Sequence, residues 1–130
     1  MIPFWNRGRV QGLIRRNLQR EPKYVYPRAE KFPAGYRPLF VPGPLRDDVF
    51  LVEGIVDALA LAALGQSAVA VGGTGISEPQ ARELEGLPGT LYVLPDDDED
   101  GQAAARRWVD RLYPRALLCP AEYGGEAPDA

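Results

Sequence analysis

Leu91-Tyr92-Val93-Leu94-Pro95-Asp96-Asp97-Asp98-Glu99-Asp100-Gly101-Gln102 decides how the rest of the chain is read. A short apolar run gives way to five consecutive acids, then to a glycine and an alanine-rich stretch. Adjacent carboxylates repel one another, so they need counter-charge, full solvation or a bound cation. Open α/β sheets bind ligands beyond the carboxyl ends of their strands, and these acids occupy such an end. Oxygen-only donor sets suit hard cations such as magnesium, which takes one or two carboxylates and completes its shell with water and substrate phosphates. An isolated acidic run is more often a solvated turn. A second acidic motif at the end of an earlier strand argues otherwise.

Outward from that stretch the pattern is strand–helix alternation. Residues 49–52 (Val-Phe-Leu-Val) read as a buried strand, and 54–64 as a helix stopped by Gly65. Residues 68–71 form a second strand, followed by the tight loop Gly72-Gly73-Thr74-Gly75. Ser77 caps a helix that runs to about Glu85, with Pro79 in its first turn, where proline is tolerated. Residues 90–94 make a third strand, 101–112 a long helix, and 116–119 a fourth strand. Such alternation implies a parallel sheet covered by helices on both faces. The division that follows is a basic arm over 1–46, an α/β domain over 47–120 and a loose polar tail over 121–130.

Glu53 closes the first of these strands, on the sheet edge that also carries Asp96 and Asp98. Asp57 follows at i+4, one helical turn on and on the same side. The glycine loop leaves the second strand at that edge too. Three strand ends therefore converge on a combined metal and phosphate site. The loop has neither the spacing of a dinucleotide fingerprint nor the Lys-Ser/Thr of a P-loop. Asp100 stands where a haloacid-dehalogenase-like phosphatase needs Thr or Val. No lysine follows the fourth strand, as a receiver domain would require.

Composition narrows the chemistry. With no histidine and a single cysteine, the 130-residue chain holds no His-based triad, His-ligated metal, internal disulfide or cysteine-rich zinc site. Cys119 follows an apolar run and reads as a core residue. No apolar stretch approaches the length that crosses a bilayer, and no signal peptide is legible, so a cytoplasmic location without membrane contact is expected. Through Arg46 there are ten Lys and Arg against Glu21 and Glu30, a net of +8. The whole chain carries −3, which leaves −11 for the remainder. A basic arm beside an acidic domain suits a polyanionic partner held next to a cation, and equally a surface whose halves compensate.

In the arm, Asn6-Arg7-Gly8 reads as the turn of a β-hairpin, with Asn and Gly supplying the turn conformations. Gly12 in the second strand marks a bulge or a close backbone approach. Residues 21–44 fit no period and read as an extended connection, with a short strand at Leu39-Phe40-Val41. Tyr24, Tyr26 and Tyr36 interleave with cations, an arrangement that stacks bases or simply anchors the segment.

Glu53-Gly54-Ile55-Val56-Asp57, the glycine loop and Asp96-x-Asp98-x-x-Gly101 together resemble the toprim domain of primases, topoisomerases and some nucleases and recombination proteins. The two acidic motifs are most similar to those of bacterial DnaG-type and phage primases. Gly8-Arg9-Val10-Gln11-Gly12, Arg16 and Pro22-Lys23-Tyr24 are similar to the segment that leads into toprim in the same primases. The resemblance implies an α/β, Rossmann-like fold with a four-stranded parallel sheet flanked by helices, preceded by a basic β-hairpin arm. It implies a metal-dependent nucleotidyl-transfer module of primase type. Asp96 and Asp98, with Glu53 nearby, would hold Mg2+ (or Mn2+), and Glu53 would act as general base or acid. Asp57 would orient those ligands or hold a second cation, and Gly73, Thr74 and Gly75 would bind phosphate. Arg7, Arg9, Arg16, Lys23 and Tyr24 would contact nucleic acid. The partners implied are single-stranded DNA or RNA template, nucleotides and other replication proteins.

The zinc-binding and helicase-associated regions of those primases have no counterpart in the sequence. Residues 125–130 stand where primases carry a further acidic motif, with Ala127 in place of its first Asp, which argues against a second cation there. Two other readings use the same acids: a small toprim nuclease, and a non-catalytic module that binds nucleic acid or assists a replication protein. A topoisomerase would need a tyrosine-bearing domain as well.

Overall fold

In the computed structural model, which describes residues 1–19 and 21–119, a parallel sheet and an antiparallel sheet share one core. The elements are β1 (Ile2–Asn6), β2 (Arg9–Arg16), β3 (Tyr24–Val25), β4 (Val49–Val52), α1 (Ile55–Ala63), β5 (Ala68–Ala70), α2 (Glu78–Glu85), β6 (Leu91–Val93), α3 (Glu99–Leu112) and β7 (Ala116–Leu118). A short 3-10 turn spans Ala29–Lys31. The parallel sheet has the order β5-β4-β6-β7, so the α/β expectation holds. The tail, and with it the reading of residues 125–130, lies outside the described residues.

Alternation along the strands sorts the side chains into two layers. Val49, Leu51, Val69 and Val71 face a cluster that includes Ala81 and Leu84 of α2 and Ala104, Ala105, Trp108 and Leu112 of α3. Val52, Ala68 and Ala70 face the other way, onto Ile55 and Ala58 of α1 and onto Phe4, Ile14, Phe32 and Phe40 from the arm. Helix α1 covers only part of that second face, and the arm completes it. Phe4 packs edge-to-face on Phe32 (5.0 Å between centroids), Phe40 (5.4 Å) and Tyr26 (6.3 Å). Burying each such ring is worth about 1.5–3 kcal/mol.

The hairpin forms as its sequence suggests, with a difference at the turn. The left-handed residues are Arg7 (φ 54°) and Gly8 (φ 80°), not Asn6, because a two-residue hairpin turn puts positive φ at its central pair. Asn6 instead donates from its side chain to the Leu39 carbonyl at 2.7 Å. The register slips between Phe4 and Trp5, leaving Gln11 as the bulged residue. A Cβ on Gly12, the next residue, would lie 2.9 Å from Pro27 Cγ, so this glycine serves the close approach beside the bulge.

Residues 21–44 hold more structure than their sequence suggests. Tyr24 and Val25 pair with Arg16 and Arg15 as the third strand of the hairpin sheet. A two-residue strand has no period to detect. The short strand expected at 39–41 is a single bridge, Phe40 with Ala70, along the outer edge of β5. Cys119 is half-buried rather than in the core: β7 is the edge strand and leaves Leu117 and Leu118 exposed as well.

Candidate active site

The chain order of the sheet creates a switch point. From β4 the chain passes through α1 to β5 on one side, then returns through α2 to β6 on the other. Ligands bind in open α/β sheets at such a reversal, beyond the carboxyl ends of the two strands. Here those strands are β4 and β6, continued by Glu53 and by Asp96. Their register pairs Leu51 with Val93, so two residues further on Glu53 stands level with Pro95.

The acids that meet there feel one another. Burial raises the pKa of Glu53 first, followed by the charge of Asp96 and a hydrogen bond with it, and then the charges of Asp98 and Asp57. Asp57 is raised by burial and by the charge of Asp96. No lysine or arginine among the described residues forms an ion pair with this group: the pairs found there are Arg82 and Arg111 with Glu78. The four sequence-designated carboxylates are therefore brought together with no ion pair to a cation among the described residues.

Local chemistry fixes the Asp96–Gly101 segment. Asp98 is the N-cap of α3 and accepts from the Gly101 N–H at 2.6 Å, which starts the helix at Glu99, two residues before the position its sequence suggests. Gln102 Nε2 donates to the Asp96 carbonyl at 3.4 Å. A Cβ on Gly101 would sit 2.5 Å from Asp96 Cβ, closer than carbon atoms approach. The glycine spaced after the two aspartates is thus required for the first turn of α3 to lie against Asp96.

These donors suit a hard cation. The set is all oxygen, and one Asp98 oxygen already serves the cap. Among the described residues no three His, Cys, Asp or Glu side chains close tightly enough to enclose a metal by themselves. An ion held by one or two carboxylates and finished by water and phosphate matches magnesium chemistry.

The glycine loop lies against Glu53. Gly72, at φ +89°, donates its N–H to the Glu53 carbonyl at 2.8 Å. Trp108 Nε1 donates to the Thr74 carbonyl at 2.9 Å, and Gln80 Nε2 to the Val71 carbonyl at 3.2 Å, so α3 and α2 both anchor the loop. Ser77 and Gln80 complete a reciprocal capping box at the start of α2. Thr74 and Gly75 are exposed.

The arm's candidates separate along β2. Arg16 donates to the Tyr24 hydroxyl at 2.8 Å and sits 5.0 Å from that ring's centroid, and Tyr24 packs against the core cluster that contains Val52 and Ile55. Lys23 is exposed next to them. Arg7 and Arg9 lie at the hairpin turn, at the opposite end of the strand. Arg7 lines a cavity of about 630 Å³ with Trp5, Leu45, Leu87 and Pro88, near the segment entering the amino end of β6. The structure brings Arg16 and Tyr24 together and does not bring Arg7 or Arg9 to the acids. Arg37, which its sequence position does not single out, stacks at 4.5 Å on Tyr26 beside Gly72.

A family profile described as Toprim-like matches residues 50–122, more than half of the chain. The chain belongs to the toprim-like family. A DNA primase from Pseudomonas aeruginosa is 34% identical over 93 residues, which cover 65% of this chain and 14% of that protein. The solved structure of the DnaG catalytic core matches with a TM-score of 0.71 at 28% identity, over 99% of this chain and 46% of that one. The DnaG primase catalytic domain bound to ssDNA matches at 0.69 and 28%, over 98% of this chain and 46% of that one. This toprim domain is therefore similar to the DnaG catalytic core, and the chain spans under half of each solved core and about a seventh of the curated primase. No helix among the described residues is long and apolar enough to cross a membrane.

Proposed function

We propose that this toprim domain is a primase-type nucleotidyl-transfer module acting on a single-stranded template, with Mg2+ (or Mn2+) as its cofactor. The observation that carries this reading is the meeting of Glu53, Asp57, Asp96 and Asp98 at the β4–β6 switch point, with no cation among the described residues paired to them. Its likeness to a primase catalytic domain bound to ssDNA supports the choice of polymer.

A divalent cation would supply neutralisation of the phosphates undergoing in-line displacement. Asp96 and Asp98 would hold it, Asp98 with the oxygen its helix cap leaves over. Glu53, whose carboxyl is raised by burial and by Asp96, would accept the proton of the attacking hydroxyl. Asp57, one turn into α1, would orient these groups. Gly73, Thr74 and Gly75 would offer backbone N–H groups to a phosphate, in a loop that Trp108 and Gln80 hold in place. Arg16, Lys23 and Tyr24 would meet the template strand.

The test is a template oligonucleotide with nucleotides and manganese, run beside labelled DNA and RNA without nucleotides. Extension products that vanish in Asp96→Ala/Asp98→Ala support the reading. Cleavage of the labelled strand without extension would turn it to a toprim nuclease. Binding without either reaction would turn it to a non-catalytic module that assists replication proteins.

A further inference from the structure

A phosphate approaching this site meets a field of carboxylates, and five acids run consecutively from the β6–α3 turn into the first turn of α3. A divalent ion offsets part of that repulsion, and the glycine loop bonded to Glu53 has a protein cation beside it. Arg37 is half-buried, and its guanidinium carbon lies over the Tyr26 ring, 4.5 Å from the centroid. Among the described residues it has neither a carboxylate partner nor a hydrogen-bond acceptor.

A stacked, unpaired guanidinium keeps its donors at the plane's edge available to a ligand. What lies beside it is the glycine loop. A Cβ on Gly72 would come 3.6 Å from Arg37 Cζ, and one on Gly73 would come 3.7 Å from Arg37 Nη2. The absence of side chains at both positions leaves the guanidinium open to the loop. Gly72 is in turn bonded through its N–H to Glu53. The Tyr26 hydroxyl registers the same neighbourhood: burial raises its pKa, Arg37 lowers it, and Tyr24 and Glu53 raise it. Arg37 also lines a cavity of about 300 Å³ with Gly75, Ser77 and Gln80.

We propose that Arg37, held on the Tyr26 ring, binds a phosphate group at the Gly72-Gly73 loop. Resting on the nucleotidyl-transfer reading, this assigns to the arm a cation for an anionic ligand at the loop that is bonded to Glu53. Tyr26 is the positioning residue: its ring fixes the guanidinium and its hydroxyl is dispensable. The phosphate belongs either to the triphosphate of a nucleotide or to the backbone of a nucleic-acid strand, and the chemistry of recognition is the same for both.

The two sources are distinguished by titrating the full chain, in magnesium, with ATP and separately with an oligo-dT strand lacking a triphosphate. Arg37→Gln is expected to weaken one of them by roughly tenfold or more, as loss of a charge-assisted bond to phosphate does. Arg37→Lys should recover only part of that loss, since lysine has neither the fork nor the flat stack. Tyr26→Phe should bind as the parent does, and Tyr26→Leu should weaken the same ligand that Arg37→Gln weakens. Loss confined to ATP assigns the site to the nucleotide; loss confined to oligo-dT assigns it to the strand. Unchanged affinity for both in Arg37→Gln, or recovery to the parental value in Arg37→Lys, overturns the proposal, as does a parent chain that binds neither. A lower melting temperature in Arg37→Gln, with ATP and oligo-dT weakened alike, would also overturn it, by making the residue structural. Because these readouts need no turnover, a chain that makes no product but loses ATP binding in Arg37→Gln retains this site and sinks only the transfer reading.

Discussion

Glu53 and Asp96 reach their meeting point from different strands, and in the absence of metal the folded chain bears the cost of setting them together. Both Glu53 and Asp57 have folded-state pKa values raised above the ordinary carboxylate value. A carboxyl raised on folding contributes stability below its unfolded pKa and loses it as pH rises through the folded one. At pH 7 without metal, the cluster is therefore a net strain. Asp96→Asn, which removes the charge that both neighbours feel, should raise the melting temperature in EDTA at pH 7 by about 1–3 °C, given how far solvent screens such partly exposed groups. The advantage should shrink as pH falls through the raised folded-state values of Glu53 and Asp57, and reverse when magnesium is added to both proteins. Calorimetric scans with and without metal check this, and an Asp96→Asn protein no more stable than its parent in EDTA would refute it. A second expectation separates ligation from proton transfer. Glu53→Gln keeps the size of the side chain and should hold manganese affinity within a few-fold, while any transfer or cleavage falls by about 10²–10⁴-fold. Titration calorimetry beside the extension assay reads both quantities. At this scale the sequence was informative where spacing carries chemistry: Glu53, Asp57, Asp96, Asp98 and Gly101 were all legible. Arg37 was not, because its meaning depends on Tyr26 and Gly72, eleven and thirty-five residues away.

The elements divide the same way. Residues of β4 and β5 alternate between two apolar layers, and runs of Val, Leu and Ala bounded by Gly, Ser and Asp announce such strands whatever covers them. The helices follow their caps: Ser77 with Pro79 was readable as a start signal, which Gln80 completes as a capping box, and Asp98 is the same kind of signal used two residues earlier than the alanine-rich stretch suggests. What local pattern does not carry is β3, a strand of two residues whose existence depends on pairing with Arg15 and Arg16. Nor does it reveal that the arm closes the second face of the parallel sheet. That closure has a measurable consequence. Phe4 is 1% exposed and contacts three aromatic rings from distant parts of the arm, against residues of β4, β5 and α1. Phe4→Ala should cost about 3–5 kcal/mol, a loss of at least 10 °C in a domain of this size. Thermal unfolding should remain a single transition that moves as a whole. A separate low-temperature transition, with the main one unmoved, would mean that the arm folds as an appendage.

At the scale of the molecule, the arm's +8 and the remainder's −11 are joined through a shared core, so charge separation does not mean spatial separation. The strand β2 is the ruler. Arg9 and Arg16 are seven residues apart on it, about 23 Å at the rise of an extended chain. The Arg9 end lies by the hairpin turn, whose Arg7 neighbours Leu87 and Pro88, away from the carboxyl ends of the sheet. The Arg16 end pairs with Tyr24, and Tyr24 packs on the core cluster that also holds Val52, one residue before Glu53. A strand threaded past the acids would run by Arg16 and not by Arg9. Each phosphate neutralised adds roughly 0.7 to the slope of log affinity against log salt for single-stranded nucleic acid. Arg16→Ala should therefore flatten the oligo-dT salt slope by about that amount, and Arg9→Ala should leave it unchanged within error. The Arg16 guanidinium already donates to Tyr24, so the mutation also frees that ring. Tyr24→Phe, which removes the hydroxyl but keeps the aromatic face, separates the two effects: it should leave the slope intact. Fluorescence anisotropy across a salt series on the three variants provides the comparison. Equal flattening by Arg9→Ala and Arg16→Ala would mean that the nucleic acid lies along the whole length of β2, and would remove the geometric link between the basic arm and the acidic end of the sheet.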